Sequence, residues 1–357
     1  MKMTKNMAMT KIMKMTMTTM NNKELVNLEL LYQKLEVMLK ATQAGESFGI
    51  VTHNNPDGDG LAVSLGLKRL FSAQGITLDI ILQGGSLERL AYLDVQNQTI
   101  KLTPELKYEN ILVIDCHDYS RIGKAEALVR KADRVLVIDH HVKEEVIENA
   151  DYYIDTAASC VGVIVYNLLK KDLPKVDKAT QKYFAEAIYT SIINDTNNFL
   201  NDNVRAEDFN ISAELLQYGL IPSVIAVKLL HEKEVSEFKM IAETLSTLKL
   251  YEDGKILLFH TTKESLDRHN LNDEATAKMT QWVKGAIGVE VTLYYREASK
   301  NEYKFSIRTD MPNFNVQQVA KTFSGGGHEK ASGFTVKGNI TEIVSKVIEE
   351  IKSKIYG

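Results

Sequence analysis

Cysteine is nearly absent from this chain of 357 residues: Cys116 and Cys160 are the two it has, and they form no paired spacing. That excludes a disulfide framework or a thiolate-rich metal site, and points to a reducing cytoplasm. Long apolar runs are also missing. None reaches the ~18–20 residues of a membrane span, so no membrane partner is expected. Charge of one sign is not in excess: 43 Lys+Arg face 47 Asp+Glu, a net charge of −4. With no long basic run, a long nucleic-acid duplex is not an expected partner. A small or short phosphorylated ligand needs only a few local cations. Residues 1–20 are cationic and rich in Met, Thr and Lys, without the apolar core of a secretory signal. Residues 1–22 are therefore expected to be a disordered extension. What remains, 44% apolar and 25% charged, has the composition of a soluble globular protein.

The apolar pattern divides the chain. Leu25, Leu28, Leu31, Leu35 and Met38 mark an amphipathic helix over 22–42. Strands and helices then alternate. Strands are expected at 48–52, 77–82, 110–115 and 134–139. Helical segments are expected at 61–74, 86–93, 125–131, 159–170 (with Ser159 as N-cap) and 180–195. Such alternation predicts an α/β domain over 23–225, a parallel sheet with helices on both faces. A helical linker is expected over 226–250. A smaller α+β domain should fill 251–357, with strands at 255–260, 289–296, 303–308 and 333–336. Its helices are expected at 275–282, 316–323 and 340–355.

The chemistry concentrates where strands end. Val51-Thr52-His53-Asn54-Asn55-Pro56-Asp57-Gly58-Asp59-Gly60 follows the first strand. A Rossmann oxidoreductase would carry a Gly-rich turn there. This turn instead offers one imidazole and two carboxylates, a set suited to a hard-to-borderline divalent ion. Asp115 ends the run Ile111–Ile114. Asp139-His140-His141 ends the run Val135–Ile138. Asp195 closes the helix through Ile188–Ile193. Parallel strands would bring these residues to one sheet edge, where open α/β sheets bind ligands. So many carboxylates cannot stay ionised together without cations. Two divalent metals sharing one or two of the Asp groups would resolve the conflict, and such pairs suit phosphoryl chemistry.

Five ordered motifs then carry a resemblance: His53-x3-Asp57-Gly-Asp59, the strand ending in Asp115, Asp139-His140-His141, Asp195-Thr196, and Gly325-Gly326-Gly327-His328. The chain resembles the DHH superfamily of phosphoesterases with a DHH-associated C-terminal domain. Within it the layout is similar to the nanoRNase and pAp phosphatase group, over roughly residues 48–336. The resemblance implies that His53 and Asp57 hold one metal, Asp59 and His140 the other, and that Asp115 and Asp195 bridge. His141 would face the substrate phosphate, and Asp139 would orient a histidine. Gly325–Gly327 would let backbone N–H groups approach a phosphate. His328 would contact the nucleotide, and Arg308 would grip a terminal phosphate. The implied cofactors are two Mn2+, with Mg2+ or Co2+ as alternatives. The implied reaction is hydrolysis of short oligoribonucleotides and 3′-phosphoadenosine 5′-phosphate (pAp), by direct attack of water, in a cleft between the two domains.

Two rival functions keep the same residues. One is a phosphodiesterase for cyclic di-AMP or its linear product pApA. The other, from a different class, is a catalytically dead nucleotide sensor, against which the intact ligand set argues. An inorganic pyrophosphatase fits less well, because Gly325–His328 points to a nucleotide-binding second domain. A homodimer is left open. Gly60 stands where the family commonly has Ala, read here as sterically mild. Asn197 replaces a usual Gly, and Asn tolerates the left-handed conformation better than most residues. His117 has no assigned role, and Trp282 is read as core.

Overall fold

The computed structural model describes residues 22–84, 88–141, 147–277 and 279–356. The expected disordered extension lies, but for residue 22, outside them. The chain divides into two compact units, Met1–Glu232 and Lys233–Gly357.

In the first unit a helix, α1 (Asn22–Gln43), precedes strand β1 (Phe48–Val51) and helix α2 (Gly60–Ser72). Strands β2 (Asp79–Leu82), β3 (Thr99–Lys101), β4 (Asn110–Ile114), β5 (Arg134–Asp139) and β6 (Asp151–Ile154) follow. Helices α3 (Val161–Leu169), α4 (Lys178–Asp195) and α5 (Ala206–Leu216) come next. The sheet order is β3-β2-β1-β4-β5-β6, with every pairing parallel. Both faces are covered, which is why β4 and β5 read as unbroken apolar runs. Ile50, Leu112, Ile114, Leu136 and Ile138 pack under α1–α4. Val51, Ile111, Val113, Val135 and Val137 pack on the opposite face, with Ile122, Leu128 and Val129. Strand order reverses between β1 and β4, the switch point where open α/β sheets form a crevice at their C-terminal edge.

The second unit opens with α6 (Val235–Ser246), which lies within the stretch expected as a linker. Its Met240 and Ile241 pack with Leu257, Phe259 and Tyr294 of this unit. Strands β7 (Lys249–Tyr251), β8 (Ile256–Thr261), β9 (Val291–Ser299), β10 (Glu302–Thr309), β11 (Gly326–Gly327) and β12 (Ala331–Lys337) form a sheet of order β11-β12-β10-β9-β8-β7. Helices α7 (Val316–Thr322) and α8 (Ile340–Tyr356) cover one face through Val316, Val319, Val347 and Ile351, packed on Phe305 and Ile307.

Several local expectations are corrected. The stretch 275–282 is not one helix but two 3-10 turns, Asp273–Thr276 and Met279–Val283. Ser159 does not cap α3. Cys160 holds the N-cap position, and the Ser159 hydroxyl donates to Asp208. Trp282 is not core: it is 46% exposed and meets Phe238 edge-on at 6.5 Å. Short strands β3, β6 and β7 escaped the sequence reading, because partly exposed edge strands with charged residues lack a clean apolar run.

Candidate metal centre

The turn after β1 and the ends of β4 and β5 meet at the sheet's C-terminal edge. Helix α4 brings in a fourth segment. Its N-terminus is fixed by the Asp177 carboxylate, which accepts from the N–H groups of Ala179 and Thr180. Its far end carries Ser191 and Asp195.

A third donor group, Asp115, Asp139, His140 and His141, overlaps two that frame the crevice: His53, Asp57 and Asp115 form one, and Asp59, His140 and Asp195 the other. Asp115 reaches both. Its Oδ2 lies 3.5 Å from His53 Nε2 and its Oδ1 lies 3.6 Å from His140 Nε2. His140 Nε2 also stands 3.5 Å from Asp59 Oδ2 and 3.3 Å from Asp195 Oδ2. His53 Nε2 is 3.9 Å from Asp57 Oδ1. These separations are long for hydrogen bonds. Two ligands each ~2.1 Å from one ion stand roughly 3.0–3.4 Å apart. Asp115 Oδ1 and His140 Nε2 are buried without a hydrogen-bond partner. Orphaned donors of this kind, hard oxygens mixed with imidazole, fit divalent cations. Asp115 thus spans both, while Asp195 meets His140 and its carboxyl also feels the charge of Asp57 in the other group.

The backbone is arranged for this. Asp115 holds a left-handed conformation, φ 61°, with its N–H on the Ile138 carbonyl. Such a residue costs energy that the surrounding fold must repay, and its position at the crevice marks the site. Asp59 is fully buried and heads α2, yet its carboxylate does not cap that helix. It accepts instead from the Val161 N–H at 2.9 Å and from the Ser191 hydroxyl. Gly60 is less replaceable than the sequence suggests. A Cβ there would stand 2.9 Å from Asp115 Cβ, so alanine would push on the residue shared by both groups. Asn197 does adopt φ 48°, followed by Asn198 and Phe199 in the same region.

Asp139 has the densest hydrogen bonding. Its Oδ1 accepts from the His140 N–H at 2.7 Å, the His141 N–H at 3.2 Å and His141 Nδ1 at 2.8 Å. Its Oδ2 pairs with Nδ1 of His117, which is 2% exposed. Sequence reasoning missed His117. The available signal was its place two residues past Asp115, at the same sheet edge. With Nδ1 on Asp139, His141 has Nε2 free to face a ligand.

Metal-free, the cluster favours the protonated forms of His53 and His140. Burial opposes the charge on His53, but the Asp115 and Asp57 carboxylates outweigh it and raise the imidazole to about 9. His140 is raised to about 11 against burial, by Asp115 and Asp195. Burial also pushes Asp59 and Asp195 up, and neighbouring carboxylates add to it, although His140 pulls the other way. A raised histidine stabilises the fold below its unfolded value of about 6.5, and that stability is lost as pH climbs through its folded value. The raised carboxyls act in the same direction above their own unfolded values. The chelated protein should therefore melt lower at pH 9.5 than at pH 6.5, on the order of 5 °C. Calorimetry at the two pH values checks this, and an unchanged or higher melting temperature at pH 9.5 would contradict it.

The second-unit residues gather on neighbouring strands. Register sets Arg308 opposite Ala331 and Gly326 opposite Gly333. His328 is exposed and turns back on Ala331 through N–H to carbonyl bonds of 2.8 and 3.2 Å. Arg308 donates to the Ile307 and Ser332 carbonyls. The Gly325 N–H is already spent on the Ala320 carbonyl, and antiparallel alternation from the His328–Ala331 pair commits Gly326 to Gly333, so within the glycine run a free donor must come from Gly327. A Cβ on Gly325 would fall 2.3 Å from the Gly333 carbonyl, which explains a glycine there.

Residues 47–192 match the DHH family N-terminal domain, and residues 233–353 match the DHHA1 domain. The chain belongs to the DHH family. It is 26% identical, over 91% of its length and 95% of the relative's, to the bifunctional oligoribonuclease and PAP phosphatase NrnA of Thermus thermophilus. It is 26% identical to the cyclic-di-AMP phosphodiesterase GdpP of Bacillus subtilis, over 86% of this chain and 47% of that protein. A solved structure of an exopolyphosphatase-related protein from Bacteroides fragilis shares the fold, with a TM-score of 0.79 and 23% identity. That match covers 90% of this chain and 96% of the other. Among the described residues of this DHH-family chain, no helix is long and apolar enough to cross a membrane.

Proposed function

We propose that the chain is a two-metal phosphoesterase that hydrolyses short oligoribonucleotides and pAp in the cytoplasm. The observation that carries this is Asp115, whose two oxygens face two separate donor groups. In the proposed assignment His53, Asp57 and Asp115 hold one cation, and Asp59, His140, Asp195 and Asp115 the other. The mixed imidazole and carboxylate set favours Mn2+, with Mg2+ or Co2+ as substitutes. Such cations supply positive charge at a phosphoryl oxygen and make water acidic enough to act near neutral pH.

The chain's own residues do the rest. Asp139 fixes the His141 ring, which leaves Nε2 to stabilise charge on the phosphate. The Ser191 hydroxyl is committed to Asp59, and Cys116 and Cys160 are fully buried. None of the three is available as a nucleophile, which leaves water to attack. In the second unit Arg308, His328 and the Gly325–Gly327 turn hold the nucleotide. The likeness to NrnA supports oligoribonucleotides and pAp as substrates. The likeness to GdpP supports a second reading, cleavage of cyclic di-AMP or pApA by the same residues.

A panel of pAp, pApA, cyclic di-AMP and five-residue RNA, with chelated protein resupplied with Mn2+, separates the two. Turnover of pAp and the RNA is expected; cleavage of cyclic di-AMP alone would replace the first reading by the second. In the same assays Arg308→Ala and His328→Ala should each reduce nucleotide turnover about ten- to a hundredfold, the scale of one charge-assisted contact. Bis-p-nitrophenyl phosphate needs only the metal centre and should be largely spared. An equal loss on both substrates, in folded and metal-loaded variants, would make the second unit part of the catalytic machinery.

A further inference from the structure

The second unit has a cavity that none of the assigned roles uses. It measures about 300 Å3 and is lined by Asp273, Glu274, Arg296, Lys304 and Ser306, among others. That volume is at the lower end for small-ligand sites and suits one nucleoside-sized unit.

Strand alternation ties it to Arg308. Tyr303, Phe305 and Ile307 turn into the core, so Lys304, Ser306 and Arg308 share the opposite face of β10. Alternate residues of a strand are roughly 6.8 Å apart along its axis, which sets Lys304 roughly 13 Å from Arg308. The cavity therefore lies on the same track as the proposed phosphate grip, further along the strand.

Of three polar side chains in it, two lack partners. Lys304 is exposed, with no ion pair among the described residues. The Ser306 hydroxyl is likewise free of a hydrogen bond among them. The third, Arg296, is engaged: its Nη1 lies against Asp273 Oδ2. Two free polar groups call for a polar ligand. The charges identify which kind. Two cations face two carboxylates, so the lining is near neutral and suits no bare polyphosphate. A single phosphodiester can take Lys304, while ribose hydroxyls donate to Glu274 and accept from Ser306.

We propose that this cavity is a second nucleotide subsite, receiving the residue next to the one held at Arg308, and so rewarding longer oligoribonucleotides over pAp. The proposal rests on the hydrolase reading above. Its test compares five-residue RNA with pAp in the full-length, metal-loaded chain. Lys304→Ala should raise KM for the RNA about tenfold. Lys304→Glu should raise it further, and Ser306→Ala by a smaller factor. Turnover of pAp, which does not reach the cavity, should stay within about twofold. An unchanged KM for the RNA, or equal changes for both substrates, overturns the subsite. Anisotropy of a fluorescent five-residue RNA, read in chelator so that nothing is cleaved, keeps the two readings apart. Wild-type binding that weakens about tenfold in Lys304→Glu supports the subsite even if neither substrate is hydrolysed. Equal binding by both, or none by wild type, overturns it.

Discussion

Asp115→Asn should lower turnover roughly a thousandfold or more while the protein remains folded. The residue is the one carboxylate whose two oxygens face both donor groups. It sits at φ 61°, so its replacement must tolerate the left-handed region. Alanine there adds backbone strain of about 1–2 kcal/mol to the loss of the ligand. Asparagine keeps the shape and the backbone conformation, and removes one anionic oxygen. The contrast therefore isolates the charge. Metal content should fall below two per chain in Asp115→Asn, with near-normal secondary structure by circular dichroism. A variant that keeps full activity would sink the shared-carboxylate assignment.

His141→Ala should lower kcat about a hundred- to a thousandfold and leave both metals bound. That is the usual loss for removing a positioned proton donor or an oxyanion stabiliser. The structure gives the reason to separate it from its neighbour. His140 Nε2 points among three carboxylates, whereas His141 uses Nδ1 on Asp139 and is about one-third exposed. Yet His141 Nδ1 is also 3.4 Å from Asp115 Oδ1, near enough to count as a donor of the third group, with Asp115, Asp139 and His140. Metal analysis decides. If one equivalent disappears with the ring, His141 is a ligand and the division between His140 and His141 fails.

Much of this was legible in the sequence because two signals coincide. The central strands β1, β4 and β5 are buried on both faces, so their apolar runs are unbroken. Each is followed at once by residues that can hold a metal, so placing the strands also places His53, Asp115 and Asp139–His141. Asp195 was legible for a similar reason, at the end of a long helix. Three-dimensional proximity was not legible. His117 looks like any polar residue after a strand until Asp139, on the next strand, is seen to bond it. Gly60 looked interchangeable with alanine because nothing local reveals Asp115 Cβ pressing on it. Trp282 looked like core because helical spacing was assumed where the chain makes two 3-10 turns. The Gly325 N–H looked free because its partner, Ala320, lies on the preceding helix. In each case the missing term is a contact that local pattern does not encode.

The wide spacing of the donors has a kinetic consequence. His53 and Asp195 bracket about two thirds of the described part of the first unit, and Asp59, Asp115 and His140 lie on three separate segments between them. No short stretch of the unfolded chain offers more than a fragment of the set. Loop closure over such separations is slow and comes late. A bound cation therefore has little to hold until β1, β4, β5 and α4 have assembled. Its binding energy falls almost wholly on the native side of the folding barrier. Such a ligand slows escape from the native state and barely hastens entry into it. The loaded chain should thus owe its persistence to a longer lifetime, not to a faster route home.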